Sequence, residues 1–230
     1  MQGTLEIAEA CAKEKRPYMH DVCGKDFVVL PGVFSPKYFR DTAFFAREVP
    51  KRAGKSFLEI GTGTGIVACF AAMSSGREVV ATDISGPAVR NARINALLHE
   101  IEHYVSVRHG SIYGPVRRQN RGAEIFDTIF WNVPFGDWRT ESPSRLTKSV
   151  FDPEQACLKQ YIRGAPQHLR SKDSNLLIGY STTLGKYPIL ERLLDEAGFA
   201  PPEVVAESGY VRDGNPRRPV DFKLFEARMK

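Results

Sequence analysis

Three glycines at alternate positions, Gly61, Gly63 and Gly65, follow a short apolar run in Leu58-Glu59-Ile60-Gly61-Thr62-Gly63-Thr64-Gly65, and an acid, Glu59, stands two residues ahead of the first of them. Glycines at the end of a strand let backbone come close to a ligand, and the first turn of the next helix offers free amides. Ile66 takes the position of the third glycine of a dinucleotide loop, so the spacing is GxGxG rather than GxGxxG. A carboxylate beside such a loop repels a pyrophosphate and suits an ammonium group. Asp83 lies eighteen residues beyond Gly65, at the end of the next apolar run, where a carboxylate accepts two hydrogen bonds from a ribose diol. A ligand that combines a ribose with a cationic amino-acid end and carries no phosphate is S-adenosylmethionine. A ligand-free tight turn and a nicotinamide-dependent oxidoreductase are the competing readings of the same residues.

Such a loop needs a sheet behind it. From residue 56 onward the chain alternates strand and helix patterns: strands over 57–60, 78–82, 104–108, 126–131 and 176–180, and helices over 66–73, 87–98, 153–169 and 189–197. This rhythm predicts a doubly wound α/β fold with a mostly parallel sheet. The last thirty residues read as a hairpin, 203–207 with 220–227, around Asp213-Gly214-Asn215-Pro216, that closes the sheet with an antiparallel strand. Residues 1–52 read as a separate leading segment, with helices over 4–16 and 38–49 around a turn-rich passage, and residues 53–230 as the ligand-binding domain.

A chain of 230 residues, 42% of them hydrophobic, buries a core without disulfide or metal staples. That excludes whole-chain disorder and small secreted scaffolds. The four cysteines, Cys11, Cys23, Cys69 and Cys157, are scattered with no metal-ligand spacing, so reduced thiols and no metal site are expected. The net charge of +5 permits an acidic partner such as nucleic acid without demonstrating one. Arginines cluster at Arg117, Arg118 and Arg121 and again at Arg212, Arg217 and Arg218, and read as solvated loops. No run approaches the roughly 18–20 apolar residues of a membrane span. Glu6 and Glu9 interrupt the N-terminal apolar pattern, so no secretory signal is expected and a soluble, cytoplasmic protein is.

The glycine loop resembles motif I of the class I S-adenosylmethionine-dependent methyltransferases. The resemblance extends over roughly residues 55–200. It implies a seven-stranded Rossmann-like sheet, and it assigns Glu59, Gly61, Thr62, Gly63, Thr64 and Gly65, then Asp83, Ile84 and Ser85, then Gly110, Ser111 and Ile112 to the cofactor. Asn132-Val133-Pro134-Phe135 is similar to motif IV of the members that methylate planar nitrogen, whose pattern is Asn-Pro-Pro-aromatic. There the Asn oxygen and the next carbonyl accept hydrogen bonds from the target NH2 while the aromatic ring stacks on it. By resemblance these four are the catalytic residues, and Asn132 also borders the cofactor. Val133 replaces the first proline and removes its rigidity. Val33-Phe34-Ser35-Pro36 and Asp41-Thr42 resemble the segment before motif I in release-factor glutamine methyltransferases, which implies that Phe34 and Thr42 line the pocket beneath an N-terminal helical cap.

The function these expectations describe is methyl transfer from S-adenosylmethionine to a nitrogen, an amine, amide or guanidine of a small molecule or protein side chain. An RNA or DNA adenine acceptor stays open, as does a non-catalytic nucleic-acid or protein-binding module on the same fold.

Overall fold

The computed structural model describes residues 2–118, 122–134, 151–211 and 219–230. Seven strands form one sheet in the order β10-β11-β9-β8-β3-β4-β5. Five of them are parallel: β3 (Ser56–Ile60), β4 (Glu78–Asp83), β5 (Val105–His109), β8 (Thr128–Asn132) and β9 (Asn175–Tyr180). All six residues of β9 are buried, as expected of a central strand covered on both faces. β10 (Glu203–Val211) and β11 (Pro219–Arg228) form the C-terminal hairpin, and β11 joins β9 antiparallel. A short antiparallel pair, β6 (Arg117–Arg118) with β7 (Gly122–Ala123), stands apart.

Period-two alternation divides the core into two layers. Phe57, Val79, Ala81, Phe130 and Leu177 face one side, where they meet α2 (Asp41–Glu48), α3 (Ile66–Ser75) and α4 (Gly86–Leu98). Leu58, Ile60, Ile129, Trp131 and Ile178 face the other, against α5 (Ala156–Gly164) and α6 (Tyr187–Glu196). β3 lies between β4, its successor in the chain, and β8, so the connection reverses direction at β3. Ligands of open α/β sheets bind beyond the carboxyl ends of the strands at such a point. No helix among the described residues is long and apolar enough to cross a membrane.

Two parts differ from the expected elements. The helix expected over 153–169 is α5 alone, flanked by single 3-10 turns at Pro153–Gln155 and Ala165–Gln167. Glu154 and Gln155 hold φ of 60° and 54°, which excludes them from a continuous right-handed helix, and Pro166 disrupts the pattern at the far end. The leading segment also contains more than helices. After α1 (Gln2–Ala12), the turn-rich passage is a β-hairpin, β1 (Tyr18–Val22) with β2 (Lys25–Val29). Its two-residue turn, Cys23-Gly24, has positive φ at both positions, the twist that suits tight hairpins. His20 and Asp21 lie in β1. Of the two arginine clusters, only Arg117 and Arg118 fall within the described residues, in β6.

The hairpin is fastened to α4 by two fully buried asparagines four residues apart. Asn95 Oδ1 accepts from the Val28 amide at 2.8 Å and Asn91 Oδ1 from the Leu30 amide at 2.7 Å, while both Nδ2 groups donate to the Val28 carbonyl. Asn95 Nδ2 also reaches the carbonyl of Thr64 in the glycine loop at 2.8 Å. These side chains act as a neighbouring strand for β2. Asn95→Ala strands the Val28 amide and the Thr64 carbonyl in the interior, at a cost of about 3 kcal/mol. A thermal melt should therefore show Tm lowered by roughly 6–12 °C, whereas a shift near zero would mean that the hairpin does not depend on this bond.

Candidate active site

A cavity of about 680 Å³ opens where the strand order reverses, within the roughly 300–1,000 Å³ of small-ligand sites. The glycine loop forms its floor. Gly61 has φ of 63°, and a Cβ there would collide with the indole Nε1 of Trp131. Gly65 has φ of 81° and begins α3, and a Cβ on it would lie 2.7 Å from Ala92 Cβ and 2.8 Å from Ala92 Cα in α4. Only glycine combines this left-handed backbone with so close an approach. Gly65 therefore supports the loop from behind and is not among the residues that line the cavity.

The two acids of the loop are tied to its backbone. Glu59, 4% exposed, accepts from Thr62 Oγ1 at 2.6 Å and from the Ala68 amide at 3.0 Å, both through Oε2. It thereby caps the first turn of α3, whose N-cap is the side-chain-free Gly65. Burial pushes its carboxyl up to about 8, against the downward pull of those two bonds. Asp83 accepts from the Gly63 amide at 2.9 Å through Oδ2 and from the Ser85 amide at 2.8 Å through Oδ1. Burial raises its pKa as well. Both line the cavity, and among the described residues no Lys or Arg does. The cavity is thus a poor host for phosphate and a good one for a cation.

Much of the remaining wall is drawn from the segments after β4 and β5 and from the leading segment. Ile84, 71% exposed, and Ser85 follow β4, and Gly110, Ser111 and Ile112 follow β5. Thr62, Gly63 and Thr64 complete the loop side, and Phe34 and Thr42 enter from the leading segment. Phe34 is stacked on Phe39 with ring centroids 3.9 Å apart.

At the end of β8, Asn132 donates through Nδ2 to Asp41 Oδ2 at 2.7 Å. Its Oδ1 is buried and has no hydrogen-bond partner among the described residues. Gly179 sits opposite in β9. A Cβ on it would stand 3.0 Å from both Cα and Oδ1 of Asn132 and 2.7 Å from Phe45 Cζ. Pro134 lines the cavity. Val133 is buried outside the lining, its amide bonded to the Gly179 carbonyl at 3.2 Å. Phe135 lies outside the described residues.

Sequence reasoning missed several lining residues. Trp131 and Phe130 were readable only as strand residues, although alternation places Trp131 beside Gly61. Phe45, His109 and Cys157 also line the cavity. All four cysteines are free, and burial pushes the Cys157 thiol up to about 12, which leaves it a weak nucleophile near neutral pH. His20 and Asp21 are not among the lining residues.

Comparison with known proteins agrees with this geometry. The family described as methyltransferase small domain matches residues 24–201. A release factor glutamine methyltransferase of Geobacter sulfurreducens is 31% identical over 135 residues, which are 56% of this chain and 44% of that protein. A ribosomal protein L11 methyltransferase of Bradyrhizobium diazoefficiens is 48% identical over 76 residues, 33% of this chain and 25% of that protein. The chain thus spans less than half the length of these curated relatives. Among solved structures, a T. thermophilus 16S rRNA N2 G1207 methyltransferase in complex with AdoMet and guanosine superposes with a TM-score of 0.59 at 16% identity, over 94% of this chain and 50% of that one. Since the family match runs from the leading hairpin through α6, the chain belongs to the methyltransferase small domain family of class I S-adenosylmethionine-dependent methyltransferases.

Proposed function

We propose that this chain transfers the methyl group of S-adenosylmethionine to a nitrogen, the amine, amide or guanidine of a small molecule or a protein side chain. The observation that carries the reading is the buried, partnerless Oδ1 of Asn132 beside a cavity that holds two carboxyl groups and no Lys or Arg among the described residues. An unpaired acceptor in the interior is costly, and an incoming N–H relieves that cost. The named activity of the 31% identical relative, on glutamine, supports an amide as acceptor.

The bound cofactor supplies an electrophilic methyl on a sulfonium. Asp83 spends one lone pair of each oxygen on a backbone amide and keeps the others for the two hydroxyls of a ribose. Glu59 sets a buried carboxyl near the amino-acid end, and exposed Ile84 with Ile112 offers flat apolar contact to a purine. Asn132 Oδ1 accepts from the target N–H, which turns the nitrogen lone pair toward the methyl and stabilises the positive charge that nitrogen gains. The carbonyl of Val133 is the second acceptor, and Pro134 completes the wall. Residues 1–52 cap the cavity through Phe34 and Thr42 and select the acceptor, and residues 53–230 hold the cofactor.

Calorimetric titration with S-adenosylhomocysteine should show binding to the wild type, weakened about 30–100-fold in Asp83→Ala through loss of two charge-assisted bonds. Absence of binding to the wild type would sink the reading. Asn132→Ala should hold that affinity within about threefold and lower methyl transfer from labelled S-adenosylmethionine to small-molecule and protein fractions by about 100-fold. Equal loss of both would make Asn132 a cofactor residue.

Glu59 sets a pH dependence. Its folded pKa, about 8, lies above the ordinary carboxylate value, so its contribution to folding is full at acid pH and is lost as pH rises through about 8. A cationic ligand favours the ionised form and expels the proton. Affinity for S-adenosylhomocysteine should therefore rise between pH 6 and 8, by up to about tenfold per unit, and Glu59→Gln should flatten the profile. A wild-type affinity independent of pH over that range would place the ammonium away from Glu59.

A further inference from the structure

The two ends of an asparagine amide are nearly the same shape, so a side chain meant to present its oxygen needs something to decide which end faces the ligand. For Asn132 that decision falls to Asp41. The carboxyl oxygen Oδ2 of Asp41 takes the Nδ2 hydrogen at 2.7 Å, and a carboxylate offers no hydrogen to an amide oxygen, so the reversed amide is excluded. Asp41 itself is 5% exposed. It lies in the first turn of α2, where the helix amides favour negative charge. The partnerless Asn132 Oδ1 then occupies the space that Gly179 leaves. The three groups come from three elements, α2, β8 and β9, and Asp41 and Asn132 are 91 residues apart.

We propose that Asp41 is a positioning residue for methyl transfer: it locks the Asn132 amide with Oδ1 toward the acceptor nitrogen and, through that amide, sets a negative charge behind the nitrogen as it becomes cationic. This rests on the reading that Asn132 Oδ1 receives the acceptor. It adds that the leading segment, through α2, determines the polarity of the acceptor site as well as lining it. Polarisation along a hydrogen-bonded pair strengthens the outer acceptor, and a charge held in place in a dry site acts without reorganisation during the reaction.

The test uses sinefungin, an analogue that bears an amine-substituted carbon in place of the methylsulfonium, so that its ammonium stands where the transferred methyl would. Affinities of sinefungin and S-adenosylhomocysteine are measured on the full chain for the wild type, Asn132→Ala, Asp41→Asn, and Asp41→Asn combined with Asn132→Asp. The wild type should prefer sinefungin by about tenfold or more. Asp41→Asn removes the charge at constant shape and lets the amide reverse, so the preference should vanish while S-adenosylhomocysteine affinity stays within about threefold. The double variant restores a donor facing a carboxylate and an oxygen facing the cavity, so the preference should return.

A merely structural role for Asp41 leaves the preference intact in Asp41→Asn wherever S-adenosylhomocysteine affinity is kept. Preference retained in Asp41→Asn but lost in Asn132→Ala overturns the role of Asp41 and leaves the reading of Asn132 intact. No binding of S-adenosylhomocysteine to the wild type, or no preference in the wild type, overturns that reading and the proposal with it. Should Asp41→Asn lose both ligands through misfolding, recovery of both in the double variant supports the pair, and failure to recover them overturns it.

Discussion

A backbone loop with three glycines has few side chains of its own to hold it in shape, and here a carboxyl group buried beneath it does so. Glu59 Oε2 binds the hydroxyl of Thr62 and the Ala68 amide at once, which fixes the loop to the first turn of α3. Thr62 in turn bonds the Thr82 carbonyl with its amide at 3.0 Å, and Gly63 reaches Asp83. The ends of β3 and β4 are thereby held in one arrangement, and the cavity takes its floor from it. The cost is a carboxyl kept out of water, visible in its raised pKa. A carboxyl desolvated in this way pairs most strongly with a cation once it gives up its proton.

The legible parts of this chain are those whose signal is local. β3, β4, β8 and β9 are short runs buried on both faces, so their composition is enough to mark them. The glycine loop, Asp83 and Asn132 follow such runs directly and could be placed without knowing what they face. The hairpin of β1 and β2 was not legible, because both runs are five residues long and bury only one and two residues respectively, and its Cys23-Gly24 turn lacks the usual Asn or Asp. The asparagines on α4 were equally hidden. A helical Asn ordinarily signals solvent or a cap, and Asn91 and Asn95 are buried only because a hairpin more than sixty residues away needs their amides. The bond between Asp41 and Asn132 is of the same kind, since no spacing encodes it.

Charge follows the same division between local and assembled properties. The net charge of +5 permits an acidic partner, yet the cavity wall has two acids and, among the described residues, no Lys or Arg. Ion pairs such as Lys37 with Glu14 or Lys230 with Asp195 lie at the surface, where they contribute little to stability. Overall basicity therefore says nothing about what enters the cavity. The chemistry of the site is set by a few groups whose neighbours have been dried.

The leading segment reaches both halves of that site by separate routes. Through β2 it engages Asn95, which also holds the Thr64 carbonyl of the glycine loop. Through α2 it engages Asn132 by way of Asp41, with Phe45 packed against Phe130 at 5.5 Å between ring centroids. The loop side of the cavity is backbone and acids at the ends of β3, β4 and β5, where left-handed glycines and a buried carboxyl leave little freedom. The wall formed by residues 32–45 lies on the loop that follows the hairpin and on an eight-residue helix. Changes there alter the cavity wall without disturbing the loop, provided the asparagine bonds and the Asp41 contact are kept. A scaffold arranged in this way separates a constrained floor from a wall that can vary.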